Sequence, residues 1–171
     1  MKKWMVALGL ALMVFGAWSP VFAFVHTGQH WADSRISYEC DMQGDYTVQC
    51  ENAVREWNNL SEADFYDGGA NAEITTTVAN YGNVDWSGYC DWYFDRADNI
   101  TTSSNIRINT HFTAGYDSNT IKGVIVHEFG HALGLAHEDS LGRGGAVMYS
   151  NDERTVYTPT QDDINGVNAL Y

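Results

Sequence analysis

The sequence predicts an α+β fold in which one twisted mixed sheet carries three helices. Segments with strand periodicity lie before residue 112, and two of the three segments with helical periodicity lie after it. A length of 171 residues, 44% of them hydrophobic, is enough for one buried core and short for two domains. We therefore expect a single α+β domain.

The first elements are an extended arm over residues 24–30, a strand over 35–38 and a helix over 48–60. The strand segment alternates apolar with polar side chains, as a half-buried strand does. In the helix segment, apolar residues recur at intervals of three and four and share one face. They are Ala53, Val54, Trp57 and Leu60.

Two further strands are predicted over residues 73–78 and 105–112. The first is rich in β-branched residues, and the second alternates apolar with polar side chains. Residues 81–99 between them combine aromatic side chains with Gly and Asp. For this stretch we predict an irregular loop in which the aromatic side chains serve packing.

Two helices complete the chain. Residues 121–135 carry a broad apolar stripe, and Gly134 is a suitable stop signal. Near the C-terminus, Pro159 and Thr160 indicate a helix start, with Asp163 in a variant of the capping box.

The first 23 residues have the pattern of a secretory signal peptide. Lys2 and Lys3 precede an apolar stretch, and Ala23 ends a small-residue cleavage pattern. The apolar stretch is shorter than the roughly 20 residues that a membrane-spanning helix needs. We therefore expect cleavage after Ala23, a secreted, extracellular protein, and one domain over residues 24–171.

Three cysteines lie in the part predicted to be exported, where disulfides persist. Cys40 and Cys50 enclose a short segment, so their pairing is the simplest arrangement, while pairing of either one with Cys90 stays open. An unpaired Cys90 would be inert, join another chain or bind a metal.

The charge of the chain excludes one class of partner. Twenty-two acidic against 9 basic side chains give a net charge of -13, so no surface is expected to follow a phosphate backbone. We expect no nucleic-acid partner and, after signal cleavage, no membrane partner.

A group of histidines carries the chemistry. His127 and His131 lie on the same face of the predicted helix, where both imidazoles reach one ion. His137 follows Gly134 by three residues, and a glycine permits the turn that brings a third ring back. Three neutral imidazoles with an open fourth position are typical of a catalytic zinc site. The number of chance occurrences of this eleven-residue pattern expected in a chain of this composition is roughly 3 × 10⁻⁵.

Glu128 stands beside the first predicted ligand without being a ligand itself. Its carboxylate is suited to accept a proton from water and return it to a leaving amine. The pattern therefore predicts a zinc-dependent endopeptidase with Glu128 as the general base.

The histidine pattern of residues 127–137, followed by the segment 146–149 around Met148, resembles the metzincin clan of zinc endopeptidases. Within that clan it resembles the catalytic domain of matrixins, and residues 24–38 and 161–171 are similar to the same domain. The resemblance implies an active-site helix, a Gly turn and a methionine turn. It implies a protein or peptide substrate bound in extended conformation along a sheet edge. It also implies an ion pair between Asp162 and an ammonium at Phe24.

Several residues depart from the matrixin pattern. Only His111 matches the second zinc site of that family, so we expect this second zinc to be missing. Glu138 directly after His137 is more like the astacin branch, and Ser150 stands where matrixins usually have Pro. No inhibitory prodomain separates signal and domain, which suggests a bacterial source. Calcium binding is left open at acidic residues, namely Asp85, Asp91, Asp95 and Asp98.

The first hypothesis is thus a secreted, monomeric zinc endopeptidase. One alternative is a zinc-stabilised extracellular binding module without turnover. The others are an astacin-like protease and a zinc hydrolase acting on something other than peptides.

Overall fold

The computed structural model describes residues 23–171 of the chain, so the predicted signal peptide lies outside the described residues apart from Ala23. One five-stranded sheet has the order β2-β1-β3-β5-β4. Its strands are β1 (Arg35–Tyr38), β2 (Asp64–Asp67), β3 (Ile74–Ala79), β4 (Gly88–Phe94) and β5 (Thr101–Asn109). The helices are α1 (Asp45–Leu60), α2 (Thr110–Thr113), α3 (Ser118–Ala132) and α4 (Gln161–Asn168), with a 3-10 turn at Gly69–Asn71. Over this range, no helix has the length and hydropathy needed to cross a bilayer.

The sheet is mixed, as predicted. β1 pairs in parallel with β2 and β3, and β3 pairs in parallel with β5. β4 runs antiparallel to β5 and forms one edge of the sheet. A free edge of this kind presents backbone donors and acceptors that can pair with a further extended chain.

Part of the prediction for residues 81–99 is wrong, because Gly88–Phe94 forms β4. The alternation that marks a half-buried strand is weak here, since Cys90 is the one buried residue of the strand. β2 escaped prediction for the same reason, with Phe65 as its one buried residue. The predicted strand 105–112 ends at Asn109, whose side chain accepts a hydrogen bond from the His111 amide and begins α2.

The three predicted helices are confirmed, with shifted ends. α1 begins at Asp45 rather than at residue 48. α3 begins after Asp117, whose carboxylate accepts from the Thr120 amide, as an N-cap does. The capping box of Thr160 and Asp163 is present at the start of α4.

Two tryptophans fix the position of α3 in the core. Trp57 of α1 is fully buried and donates its ring N–H to the Val126 carbonyl at 3.0 Å. Trp31 donates its ring N–H to the Ala132 carbonyl at 2.8 Å. Because hydrogen bonds and close packing act together, α3 has little freedom to slide or rotate.

The pairing of Cys40 with Cys50 is confirmed, with Cα atoms 6.0 Å apart. The bond links the segment after β1 to the first half of α1. Cys90 is free and buried, its thiol lies 3.2 Å from the Ser104 hydroxyl, and burial raises its thiol pKa. A neutral, buried thiol of this kind is inert.

We predict that replacing Cys40 and Cys50 by Ser lowers the free energy of unfolding by about 2–3 kcal/mol, because the disulfide closes a short loop in the unfolded chain. Urea unfolding of the double variant and the wild type measures the difference. A reducing agent should destabilise the wild type by the same amount and leave the variant unchanged. Equal stability of both proteins would contradict a structural role for the bond.

Candidate metal centre

The three histidines predicted as ligands converge on one point. The ring centroids of His127 and His131 on α3 are 4.6 Å apart. The ring centroid of His137 lies 5.2 Å from that of His127 and 4.8 Å from that of His131. One nitrogen from each ring belongs to a set whose members lie within 4.8 Å of one another. The Nε2 atoms of His131 and His137 are 3.1 Å apart.

The turn after α3 brings the third ring into place. Gly134 has φ of +104°, a backbone conformation that favours glycine. A side chain there would also come within 2.5 Å of the Gln29 carbonyl oxygen. The sequence prediction of a Gly turn is therefore confirmed, and the turn directs His137 back towards α3.

Backbone carbonyls orient two of the rings. Nδ1 of His127 lies 2.9 Å from the Val147 carbonyl oxygen, and Nδ1 of His131 lies 2.7 Å from that of Leu135. Since a carbonyl only accepts, each Nδ1 carries the proton and donates it, which leaves the Nε2 lone pair for a cation.

This donor set fits zinc. A tetrahedral zinc ion with bonds of about 2.0–2.1 Å holds its nitrogen ligands about 3.3 Å apart. The 3.1 Å between Nε2 of His131 and Nε2 of His137 is close to that distance.

Desolvation keeps the rings neutral. Burial lowers the pKa of His127 well below its usual value and lowers the pKa of His131 to about 4. The pKa of the more exposed His137 is also lowered, again first by desolvation. Neutral imidazole is the form that binds a metal, so protons compete little at neutral pH.

The methionine turn contacts the His127 ring and α3, and it is held by α4. Met148 is buried, and its sulfur fills the space that a side chain at Gly130 would need. The Asp163 carboxylate accepts hydrogen bonds from the backbone N–H groups of Val147 and Met148, at 2.8 and 3.3 Å. The sequence indicated Asp163 only as a capping residue, because its partners on the turn lie about 15 positions away.

Glu128 is buried beside the rings at the wall of an open cleft, with 4% of its surface exposed. Burial raises the pKa of its carboxyl group to about 8, and Arg154 opposes this rise. A dication held by the rings would oppose it further, since a positive charge favours the carboxylate. The side chain packs directly against Gly88 of β4.

The cleft has a volume of about 930 Å³. One wall is the edge strand β4, and another is the segment of residues 150–152 that follows the methionine turn. His127, His131 and His137 lie in the same cleft as Glu128. A ligand in the cleft would therefore contact the strand edge and the candidate metal site together.

Asp162 lies beside the N-terminal arm. Its Oδ1 accepts a hydrogen bond from the Ala23 amide at 2.8 Å. Its Oδ2 is buried and has no hydrogen-bond partner among the residues described. The carboxylate therefore has capacity for a further donor.

Three of the four acidic residues considered for calcium have partners within the protein. Asp91 pairs with Arg107 at 2.6 Å, and Asp95 and Asp98 accept from nearby backbone N–H groups. His111 lies in α2 rather than in a strand.

A profile of the matrixin family matches residues 10–171. Interstitial collagenase of Equus caballus is 26% identical over 164 residues, which cover 88% of this chain and 34% of that protein. Neutrophil collagenase of Homo sapiens is 49% identical over 51 residues, covering 28% and 10% of the two chains. Matrilysin of Mus musculus is 32% identical over 81 residues, covering 47% and 26%. Some curated relatives match most of this chain, such as the collagenase of Equus caballus. The chain spans only about a third of the length of these relatives.

These relatives come from animals and give no support to the expected bacterial source. The family match extends over the strands, the histidine group and the methionine turn, and it favours the matrixin over the astacin alternative. The chain belongs to the matrixin family of zinc-dependent metalloproteinases.

Proposed function

We propose that this chain is a secreted, monomeric zinc endopeptidase, with residues 1–23 as a cleaved signal peptide and residues 24–171 as its catalytic domain. The observation that supports this most is the convergence of three neutral imidazoles beside a buried carboxylate in one open cleft. Two of the relatives are named collagenases. At their level of similarity, we extend only the substrate class, protein or peptide, to this chain.

In this proposal His127, His131 and His137 hold the ion through their Nε2 atoms. Zinc, when bound, supplies a Lewis acid for the scissile carbonyl and lowers the pKa of water. The Val147 and Leu135 carbonyls keep two of the rings in the required tautomer.

Glu128 moves the proton. Its carboxylate takes a proton from the water that attacks the carbonyl carbon, and then gives it to the nitrogen of the leaving amine. The carbon–nitrogen bond breaks without any covalent bond to the protein. The low exposure of Glu128 suits this role, because a desolvated carboxylate is a stronger base than a solvated one.

β4 is the candidate edge for the substrate. It lies at one edge of the sheet, and six of its seven residues line the cleft. An extended peptide that pairs with this edge would pass Gly88, against which Glu128 packs. The free edge of β4 along the cleft favours a peptide over the smaller substrates of other zinc hydrolases. The buried Glu128 argues against the alternative of a binding module without turnover.

Replacing Glu128 by Gln should reduce kcat/KM by about 10²–10⁴-fold, because the amide does not accept the proton of water. Zinc content should stay at the wild-type level, since Glu128 is not a ligand. Casein cleavage and metal analysis on the same preparation check both expectations.

Glu153→Gln is the matched control, because the Glu153 side chain is 72% exposed and should be dispensable. A chelator should stop cleavage by the wild type, and added zinc should restore it. Near-full proteolysis by Glu128→Gln would show that another group is the base.

Gly88→Ala should lower kcat while zinc stays bound. A Cβ at this position would come within 2.5 Å of Oε1 of Glu128 and 2.8 Å of a Val124 methyl, so the carboxylate must move. Gly115→Ala is the control, because a Cβ there meets nothing within 4 Å. The test is peptide hydrolysis, and equal kcat in both variants would show that the position of Glu128 is not critical.

We also propose that cleavage after Ala23 allows the new ammonium of Phe24 to replace the Ala23 amide as the donor to Asp162. The buried, unpartnered Oδ2 of Asp162 supports this, because an ammonium offers several donors and a charge.

Asp162→Asn should then lower the free energy of unfolding of the cleaved chain by about 1–3 kcal/mol, the size of a hydrogen bond to a charged group. In the uncleaved chain, whose donor is a neutral amide, the loss should be smaller. Urea unfolding of both forms measures the difference, and an equal effect in both would rule out the ion pair.

A further inference from the structure

Arg154 is a buried cation at the wall of the cleft. Only 5% of its surface is exposed, although it lines the same cleft as Glu128 and the three histidines. Among the described residues that line this cleft, Arg154 is the one Lys or Arg side chain. A ligand that enters the cleft therefore meets a single permanent positive charge from a side chain.

The guanidinium is incompletely paired by the described residues. One terminal nitrogen lies 3.5 Å from a carboxylate oxygen of Asp152, and the other donates to the Tyr149 carbonyl at 3.3 Å. Nε is buried and has no hydrogen-bond partner within residues 23–171. Asp152 is itself shared, since its second oxygen accepts from the Tyr116 hydroxyl at 2.9 Å. A guanidinium has five N–H donors, so several remain for an incoming acceptor.

A buried, underpaired cation is unfavourable unless an anion joins it. Desolvation lowers the pKa of Arg154, yet a guanidinium stays protonated throughout the pH range in which proteins work. The group therefore keeps its charge. A further carboxylate in direct contact would compensate for the hydration that the buried guanidinium has lost. The planar fork of Arg suits a carboxylate especially well, because two parallel hydrogen bonds form at once.

We propose that Arg154 selects substrates with an acidic side chain, Glu or Asp, next to the scissile bond. The inference rests on the proposed proteolytic function and concerns the same cleft. In the complex, the substrate carboxylate accepts from Arg154 donors that no described residue uses. A neutral amide of the same shape, Gln or Asn, would leave the unused Arg154 donors without a charged acceptor.

The acidity of the whole chain works in the opposite direction but is weaker at this site. The net charge of -13 repels anionic substrates during approach. At physiological salt that field is screened over about 8 Å, whereas a direct contact inside a cleft is screened much less. Asp152 and Glu128 also attract Arg154, and their negative charges weaken the positive potential that a ligand meets in the cleft. The long contact to Asp152 leaves room for a stronger partner.

The test compares peptides that differ only in Glu or Gln on either side of the cleaved bond, after mass spectrometry has located that bond. For the wild type we expect kcat/KM to favour Glu by about 10- to 100-fold at one of the two positions. Arg154→Gln should bring this ratio close to one. Arg143→Gln is the matched control, because the Arg143 side chain is 59% exposed, and it should keep the wild-type ratio.

Two further variants separate selection from a structural role in which Arg154 merely holds the segment around Asp152. Asp152→Asn removes the competing carboxylate and should raise the ratio. Arg154→Lys keeps the charge without the fork and should give an intermediate ratio. A wild type without preference for Glu at either position would overturn the proposal, as would a ratio that none of the variants changes.

Binding by the Glu128→Gln protein, loaded with zinc, provides a readout that needs no turnover. Fluorescence anisotropy should show the same preference for the Glu peptide in its Kd. If the wild type cleaves nothing while this preference is present, the proteolytic function fails and the selection by Arg154 stands. If neutral peptides are cleaved without any preference, the selection alone is overturned.

Discussion

The hydrogen bond between His127 and the Val147 carbonyl is the contact on which the candidate site depends. It fixes the tautomer and the direction of the first ring, and its carbonyl belongs to the methionine turn. That turn is in turn held by the Asp163 carboxylate at the start of α4. Three segments distant in sequence therefore determine the position of one nitrogen atom. Supporting contacts of this kind set the geometry of metal ligands as much as the ligands themselves do.

The core extends this constraint to the helix that carries two of the ligands. Trp57 bonds to the carbonyl of Val126, the residue before His127, and Trp31 bonds to that of Ala132, the residue after His131. The two indoles thus hold α3 on both sides of the histidine pair. Packing in protein interiors is dense, so a shift of α3 would disturb both indoles before it moved the rings. The packing of the core therefore determines the position of the two histidines on α3.

The parts of the site that the sequence predicted are those with short-range spacing. His127 and His131 share a helix face, Gly134 permits the turn to His137, and the box at Thr160 starts α4. Each of these depends on residues within about one helical turn or one loop, where geometry follows from separation along the chain.

The features that escaped prediction depend on distant partners. β4 shows weak alternation, because most of its residues are only partly buried at the wall of the cleft. Asp163 is recognisable as a capping residue, but its bonds to the methionine turn join positions 15 and 16 residues apart. Arg154 has no signal at all, since only the folded chain shows that its side chain is buried and lies in the cleft with Glu128.

The buried polar atoms without partners give a last argument about how this fold supports its function. Among the residues described, two buried side-chain atoms have no hydrogen-bond partner, Nε of Arg154 and Oδ2 of Asp162. Such an atom destabilises a fold by about 1–3 kcal/mol, and more when it belongs to a charged group. In the proposed function, each of these atoms gains a charged partner. A substrate carboxylate binds Arg154, and the ammonium formed by signal cleavage binds Asp162. Residues 23–171 satisfy their other buried polar side-chain atoms, so the unfavourable interactions are concentrated at two positions where binding or processing relieves them.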